Sequence, residues 1–124
     1  MTQALNVQKK HIVEYAYSGW FYGSDGVAIF HNVLAILGVH YSTKSDCEDY
    51  ENDFEIERES LERGLEKLRA IDQGQEADWV DIEYLTERLG KANITLSECI
   101  TCFEWLLNNS EKEHEKDWIY VSFF

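Results

Sequence analysis

Cys99 and Cys102 stand as C-I-T-C, the spacing with which many zinc sites begin. A structural zinc site needs four ligands converging tetrahedrally, usually with such a pair held in a tight turn. Here the pair falls at i and i+3 within a helical pattern, with no glycine nearby and no second pair. Two small core residues are expected, with no metal and no cofactor. The histidines His11, His31, His40 and His114 are isolated. His11 and Glu14 could share a helix face, but no local motif sets a Ser or Cys nucleophile beside them. His31, inside an apolar run, reads as a hydrogen-bonded core or boundary residue. Nothing here organises catalysis, and an enzyme is not expected.

Carboxylates are the remaining chemistry-bearing groups. A calcium loop of the EF-hand type needs glycine at its sixth position and glutamate at its twelfth. Counting from Asp46 puts Glu51 at the sixth, and counting from Asp49 puts Phe54 at the sixth and Ser60 at the twelfth, so neither frame fits. The segment D-C-E-D-Y-E-N-D-F-E-I-E, residues 46–57, instead carries seven acids and no base.

That segment must be positioned by an element, and the local signals favour a helix. Ser45 and Glu48 form a capping-box pattern, and Cys47, Tyr50, Phe54, Leu61, Leu65 and Leu68 share one face at a period of 3.6, which predicts a helix to about residue 70. On it Asp49–Asp53, Asp53–Glu57, Glu51–Glu55 and Glu55–Glu59 would be like-charge i,i+4 pairs, each costing a few tenths of a kcal/mol. Arg58–Glu62 and Glu59–Arg63 would be neutralising pairs. Glu48, Glu51, Glu55, Glu59, Glu62 and Glu66 would line up as one stripe with the spacing of a helical turn, comparable to a row of phosphates. The expected partner-binding set is therefore Asp46, Glu48, Asp49, Glu51, Asp53, Glu55, Glu57, Glu59, Glu62 and Glu66. Glu76, Asp78, Asp81, Glu83 and Glu87 form a second acidic patch.

The rest of the chain frames these residues as a single domain over 1–124. Residues 3–22 suit either a helix with an extended aromatic exit or, over 11–22, a strand; the helix is favoured. V-A-I-F-H-N-V-L-A-I-L-G is apolar on nearly every side and predicts a buried central helix ending at Gly38. Asp78 is expected to cap a helix with Trp79, Ile82, Leu85 and Leu89 inward and Gly90 at its end. Thr95 and Glu98 form a capping box for a helix with Leu96, Ile100, Phe103 and Leu107 inward. W-I-Y-V-S-F-F reads as a closing strand. The fold class expected is mainly α, four to five helices around a buried central one with a minor β element at the C-terminus, or α+β if residues 11–22 form a strand.

Leu85, Leu89, Gly90, Leu96 and Cys99 sit where the helix-turn-helix motif of DNA-binding regulators places its first-helix core, turn glycine and second-helix core, so residues 84–106 resemble that motif. The resemblance implies a DNA-binding transcriptional regulator. The second helix would offer Asn93, Thr95, Ser97 and Glu98, with no Arg or Lys for phosphate or guanine.

Composition weighs against that reading without removing it. A formal charge of −13, from 24 acids against 11 bases, repels the phosphate backbone and favours a basic partner. Hydrophobic residues at 44% and four Trp, seven Tyr and six Phe require a folded core. Three cysteines, no uninterrupted apolar leader and no membrane-length apolar run read as a cytoplasmic protein. In charge and size alone the chain resembles the DNA-mimicking antirestriction and anti-CRISPR proteins of phages and mobile elements, and the immunity proteins of nuclease toxins. The expected function is a non-enzymatic inhibitor that occupies the basic surface of a nucleic-acid-binding protein or nuclease complex, with no direct nucleic-acid or membrane contact. Its oligomeric state is open, a homodimer included. A helix-turn-helix DNA-binding regulator is the first alternative, and an acidic adaptor or structural subunit the second.

Overall fold

The computed structural model describes residues 5–10, 14–17, 21, 25–43, 53–75, 80–110 and 118–123. Five strands, β1 (Leu5–Lys10), β2 (Glu14–Tyr17), β3 (Tyr41–Thr43), β4 (Asp53–Glu57) and β5 (Trp118–Phe123), make one antiparallel sheet in the order β2-β1-β5-β4-β3. Four helices, α1 (Gly26–Ile36), α2 (Arg58–Asp72), α3 (Ile82–Lys91) and α4 (Leu96–Asn109), hold more residues than the strands. Among the described residues the four helices fall within the four to five expected, whereas the sheet is larger than a single C-terminal strand. Among the described residues no helix is long and apolar enough to cross a membrane.

The first and last strands, β1 and β5, are neighbours within the sheet, where Leu5 pairs with Phe123 and Val7 with Val121. The favoured helix over residues 3–22 is thus overturned: β1 and β2 pair as a hairpin with a register shift between Gln8 and Lys10. The alternation of Tyr15 and Tyr17 is the local trace of β2, and long-range pairing of β1 with β5 outweighs a weak helical pattern. The buried strand residues Leu5, Phe54, Ile56, Ile119, Val121 and Phe123 join Phe30, Val33 and Leu34 of α1 and the apolar stripes of α2, α3 and α4 in one core. Sheet and helices therefore form two layers, with Phe30 at their contact.

The second correction concerns the acidic segment. Ser45 and Glu48 lie outside the described residues, but residues 53–57 are a strand, and helix α2 begins only at Arg58. Phe54 and Ile56 are 1% and 0% exposed. Only extended backbone points both the same way; on a helix they would sit about 200° apart. Their pairing with Val121 and Ile119 of β5 supplies the hydrogen bonds that a first helical turn would have made. The like-charge helical pairs Asp53–Glu57 and Glu55–Glu59 consequently do not form. The strand-to-helix junction is pinned by two bonds, from the Glu57 N–H to the His40 carbonyl at 3.0 Å and from the His40 N–H to the Ser60 hydroxyl at 2.6 Å.

Helix ends follow local chemistry with three adjustments. Gly38 (φ +69°) closes α1 as expected, with the Val39 N–H on the Leu34 carbonyl. Gly90 does not end α3: it lies within the helix, and Asn93 (φ +56°) takes the left-handed position, sending the Ile94 N–H back to Leu89. The cap of α3 is Asp81, whose carboxylate accepts the Tyr84 N–H at 3.0 Å, and Asp78 lies outside the described residues. The Thr95–Glu98 capping box is present in both directions. The buried stripe of α4 is Cys99, Cys102, Phe103 and Leu106, rotated from the expected face, which leaves Leu96, Ile100 and Leu107 half-buried. At Gly64 an added Cβ would stand 2.8 Å from Val39 Cγ2, so the glycine lets α2 close against the chain leaving α1.

Candidate functional site

The core-facing Phe54 and Ile56 fix the parity of β4, so Glu55 and Glu57 stand on its outward face. Their register partners there are Tyr120 and Trp118 of β5, and Ser42 of β3 pairs with Glu55 on the other side. Asp53 is in register with Ser122. In an antiparallel strand alternate residues are about 6.8 Å apart, so these carboxylates are spread along a stiff backbone without the repulsion a helix would impose.

Glu57 is flanked by two nitrogen-bearing side chains. Its Oε2 lies 3.4 Å from His40 Nδ1 and its Oε1 3.6 Å from Arg63 Nη2, with Arg63 Nη1 also 3.5 Å from Glu59 across the expected i,i+4 pair. The Glu57 side chain is 33% exposed, against 81% for Glu59. Surface pairs of this kind contribute little stability, but they gather Glu57 and Glu59 around one arginine.

Glu62 and Glu66 do not extend that row. They face a groove of about 610 Å³ between α2 and α4, shared with Arg58, Arg69 and Glu104, and Arg69 is bonded to Glu104 at 2.9 Å. Across α2 the acids Glu59, Glu62, Glu66 and Asp72 are matched by Arg58, Arg63, Lys67 and Arg69. The helix is formally neutral, and the excess of acids over bases in this stretch of sequence lies in residues 46–57 before it. Asp46, Glu48, Asp49 and Glu51 lie outside the described residues. In the second patch Asp81 is spent on capping, Glu83 and Glu87 are exposed on α3 with Arg88 and Lys91 in its last turn, and Glu76 and Asp78 lie outside the described residues.

His40, Trp118 and Tyr120 belong beside these acids and were not legible as such. The signal was present in two alternations, D-F-E-I-E and W-I-Y-V-S-F, whose outward parities coincide only once the strands are paired.

The other candidates resolve into the core. Cys99 and Cys102 are free thiols with no exposure; burial pushes Cys99 up to about 12, and burial with the neighbouring Cys99 holds Cys102 well above its ordinary value. Neither thiol supplies a thiolate near neutral pH. Among the described residues no three His, Cys, Asp or Glu side chains converge on a metal position. In the stretch resembling a helix-turn-helix, Asn93 makes the turn while Thr95 and Glu98 cap α4, and the exposed Ser97, Thr101 and Asn108 bring no base.

His31 is half-buried, with Nδ1 3.0 Å from the Tyr41 hydroxyl and its ring 4.6 Å from that of Phe54. Burial lowers its pKa from 6.5 and raises that of Tyr41. The folded chain resists a proton that the unfolded chain accepts, so the stability linked to His31 is fully present above 6.5 and declines as pH falls below it. Urea midpoints at about pH 7.5 and about pH 5.5 check this: the drop should shrink in His31→Phe, and an unchanged drop contradicts it.

No family model matches this chain, and neither a curated protein nor a solved structure matches it at a significant level.

Proposed function

We propose that the chain is a non-enzymatic inhibitor whose acidic sheet face occupies the basic nucleic-acid-binding surface of a partner protein. The observation that carries this reading is the strand β4: its inward residues are locked into the core, and the carboxylates of Glu55 and Glu57 stand outward at the end of a segment with seven acids and no base. A row of negative charges on a stiff strand offers arginines and lysines what successive phosphates offer, without an ordering cost at binding. Competition with nucleic acid follows as the mechanism, in the manner of antirestriction and anti-CRISPR proteins or nuclease immunity proteins, and a cytoplasmic setting suits it.

The reading shifts emphasis from α2, which balances its own charge, to residues 46–57. A gel-shift series at low salt tests it against a DNA-binding regulator. The chain should leave duplex DNA unretarded at every concentration, because its net charge repels phosphate. Retardation that weakens with added salt would overturn the proposal.

A further inference from the structure

The outward face of β4 and β5 carries rings as well as carboxylates, and the two are in register. Glu55 lies directly opposite Tyr120, and Glu57 directly opposite Trp118. Directly opposed residues hold their Cβ atoms about 4.5–5.5 Å apart. Each carboxylate therefore stands beside an aromatic side chain of β5, and Trp118 and Tyr120 are both only half-buried.

This pairing distinguishes between the two basic side chains. An ammonium is a compact, strongly hydrated point charge that gains mainly from the carboxylate. A guanidinium is planar and more weakly hydrated, so it can stack on a ring while directing paired N–H donors to a carboxylate beside it. The chain's own nitrogen-bearing side chains already use the neighbouring position. His40 packs edge-on to Trp118 with ring centroids 5.9 Å apart while its Nδ1 lies 3.4 Å from Glu57, and Arg63 reaches the same carboxylate.

We infer, resting on the function proposed above, that the β4–β5 face selects arginine over lysine: the partner's basic surface docks guanidinium groups against the Tyr120 ring and the Glu55 carboxylate. The occupant is then an arginine-bearing surface, and a lysine-rich one of equal charge binds more weakly.

Titration of the full chain with fluorescent oligo-arginine and oligo-lysine peptides of equal length tests this. The wild type should prefer oligo-arginine by about three- to tenfold. Tyr120→Leu should bring the two affinities together by weakening the arginine peptide alone, Tyr120→Phe should keep the preference, and Glu55→Gln should weaken both. If Tyr120→Leu fails to fold, Tyr120→Thr, which also removes the ring but keeps a strand-favouring side chain, is read in its place. Equal wild-type affinities, or a preference that survives in the folded leucine variant, would overturn arginine selection while leaving the inhibitor reading intact. Binding of neither peptide would overturn both.

Discussion

Phe30→Ala should lower the unfolding free energy by about 3–5 kcal/mol, the cost of deleting a fully buried phenylalanine and leaving a cavity behind. Phe30 has no exposure, and its ring centroid lies 5.1 Å from Phe21, 5.2 Å from Phe54 and 5.5 Å from Phe123, all in edge-to-face geometry. These contacts join α1 to the adjacent strands β4 and β5, so one truncation loosens the junction between the two layers. Against a total of about 5–15 kcal/mol for a domain, the loss is a large fraction. Urea unfolding should show a much lower midpoint with an unchanged slope. Phe30→Leu should recover most of the loss, since it refills most of the volume. A midpoint within error of wild type for Phe30→Ala would contradict this account of the core.

The elements that hold this junction differ in how openly the sequence declares them. Helix α1 was legible from its apolar run and Gly38, and α4 from Thr95 and Glu98, because caps and periodicity are local. β5 was legible from its own alternation. β2 was legible only as the strand alternative over residues 11–22, and β1 and β4 were not. Residues 53–57 read as helix because Phe54 sits on a 3.6 period with Leu61, Leu65 and Leu68, and Ile56 was the one residue that pattern left unexplained. Its burial is decided by β5, more than sixty residues away in sequence. The same distance hid the site: the acids of residues 46–57 were plain, but their neighbours Trp118 and Tyr120 become neighbours only through the sheet. Of the helical stripe only Glu59, Glu62 and Glu66 share a helix; its continuation back through Glu55 runs into a strand.

Glu55→Lys combined with Glu57→Lys should abolish partner binding, a loss of at least about a hundredfold, whereas Glu62→Lys combined with Glu66→Lys should cost no more than a few-fold. The contrast follows from where charge is compensated. Both pairs change the net charge equally, so a purely global electrostatic attraction would be weakened equally by either. The strand pair, however, inverts the face on which the partner's cations dock, placing like charges against each other in an interface. The helix pair lies in a groove that already contains Arg58 and Arg69. Folding is not expected to fail in either variant, since Glu55 and Glu57 point away from the core, although Glu57→Lys gives up the contacts with His40 and Arg63 and should cost a few tenths of a kcal/mol. Equal losses from the two double variants would mean that charge acts without a defined surface, as in an acidic adaptor kept soluble by its surface.

The central claim, that the β4 face takes the place of phosphates, is tested most directly by elution. The chain is immobilised, loaded with a basic nucleic-acid-binding protein that it captures at low salt, and challenged with a single-stranded oligonucleotide or with a neutral-backbone analogue of the same base sequence. The expected result is release by the oligonucleotide and retention against the analogue, with no capture on a Glu55→Lys, Glu57→Lys column. Release by both, or by neither, or undiminished capture by the reversed chain, would contradict it.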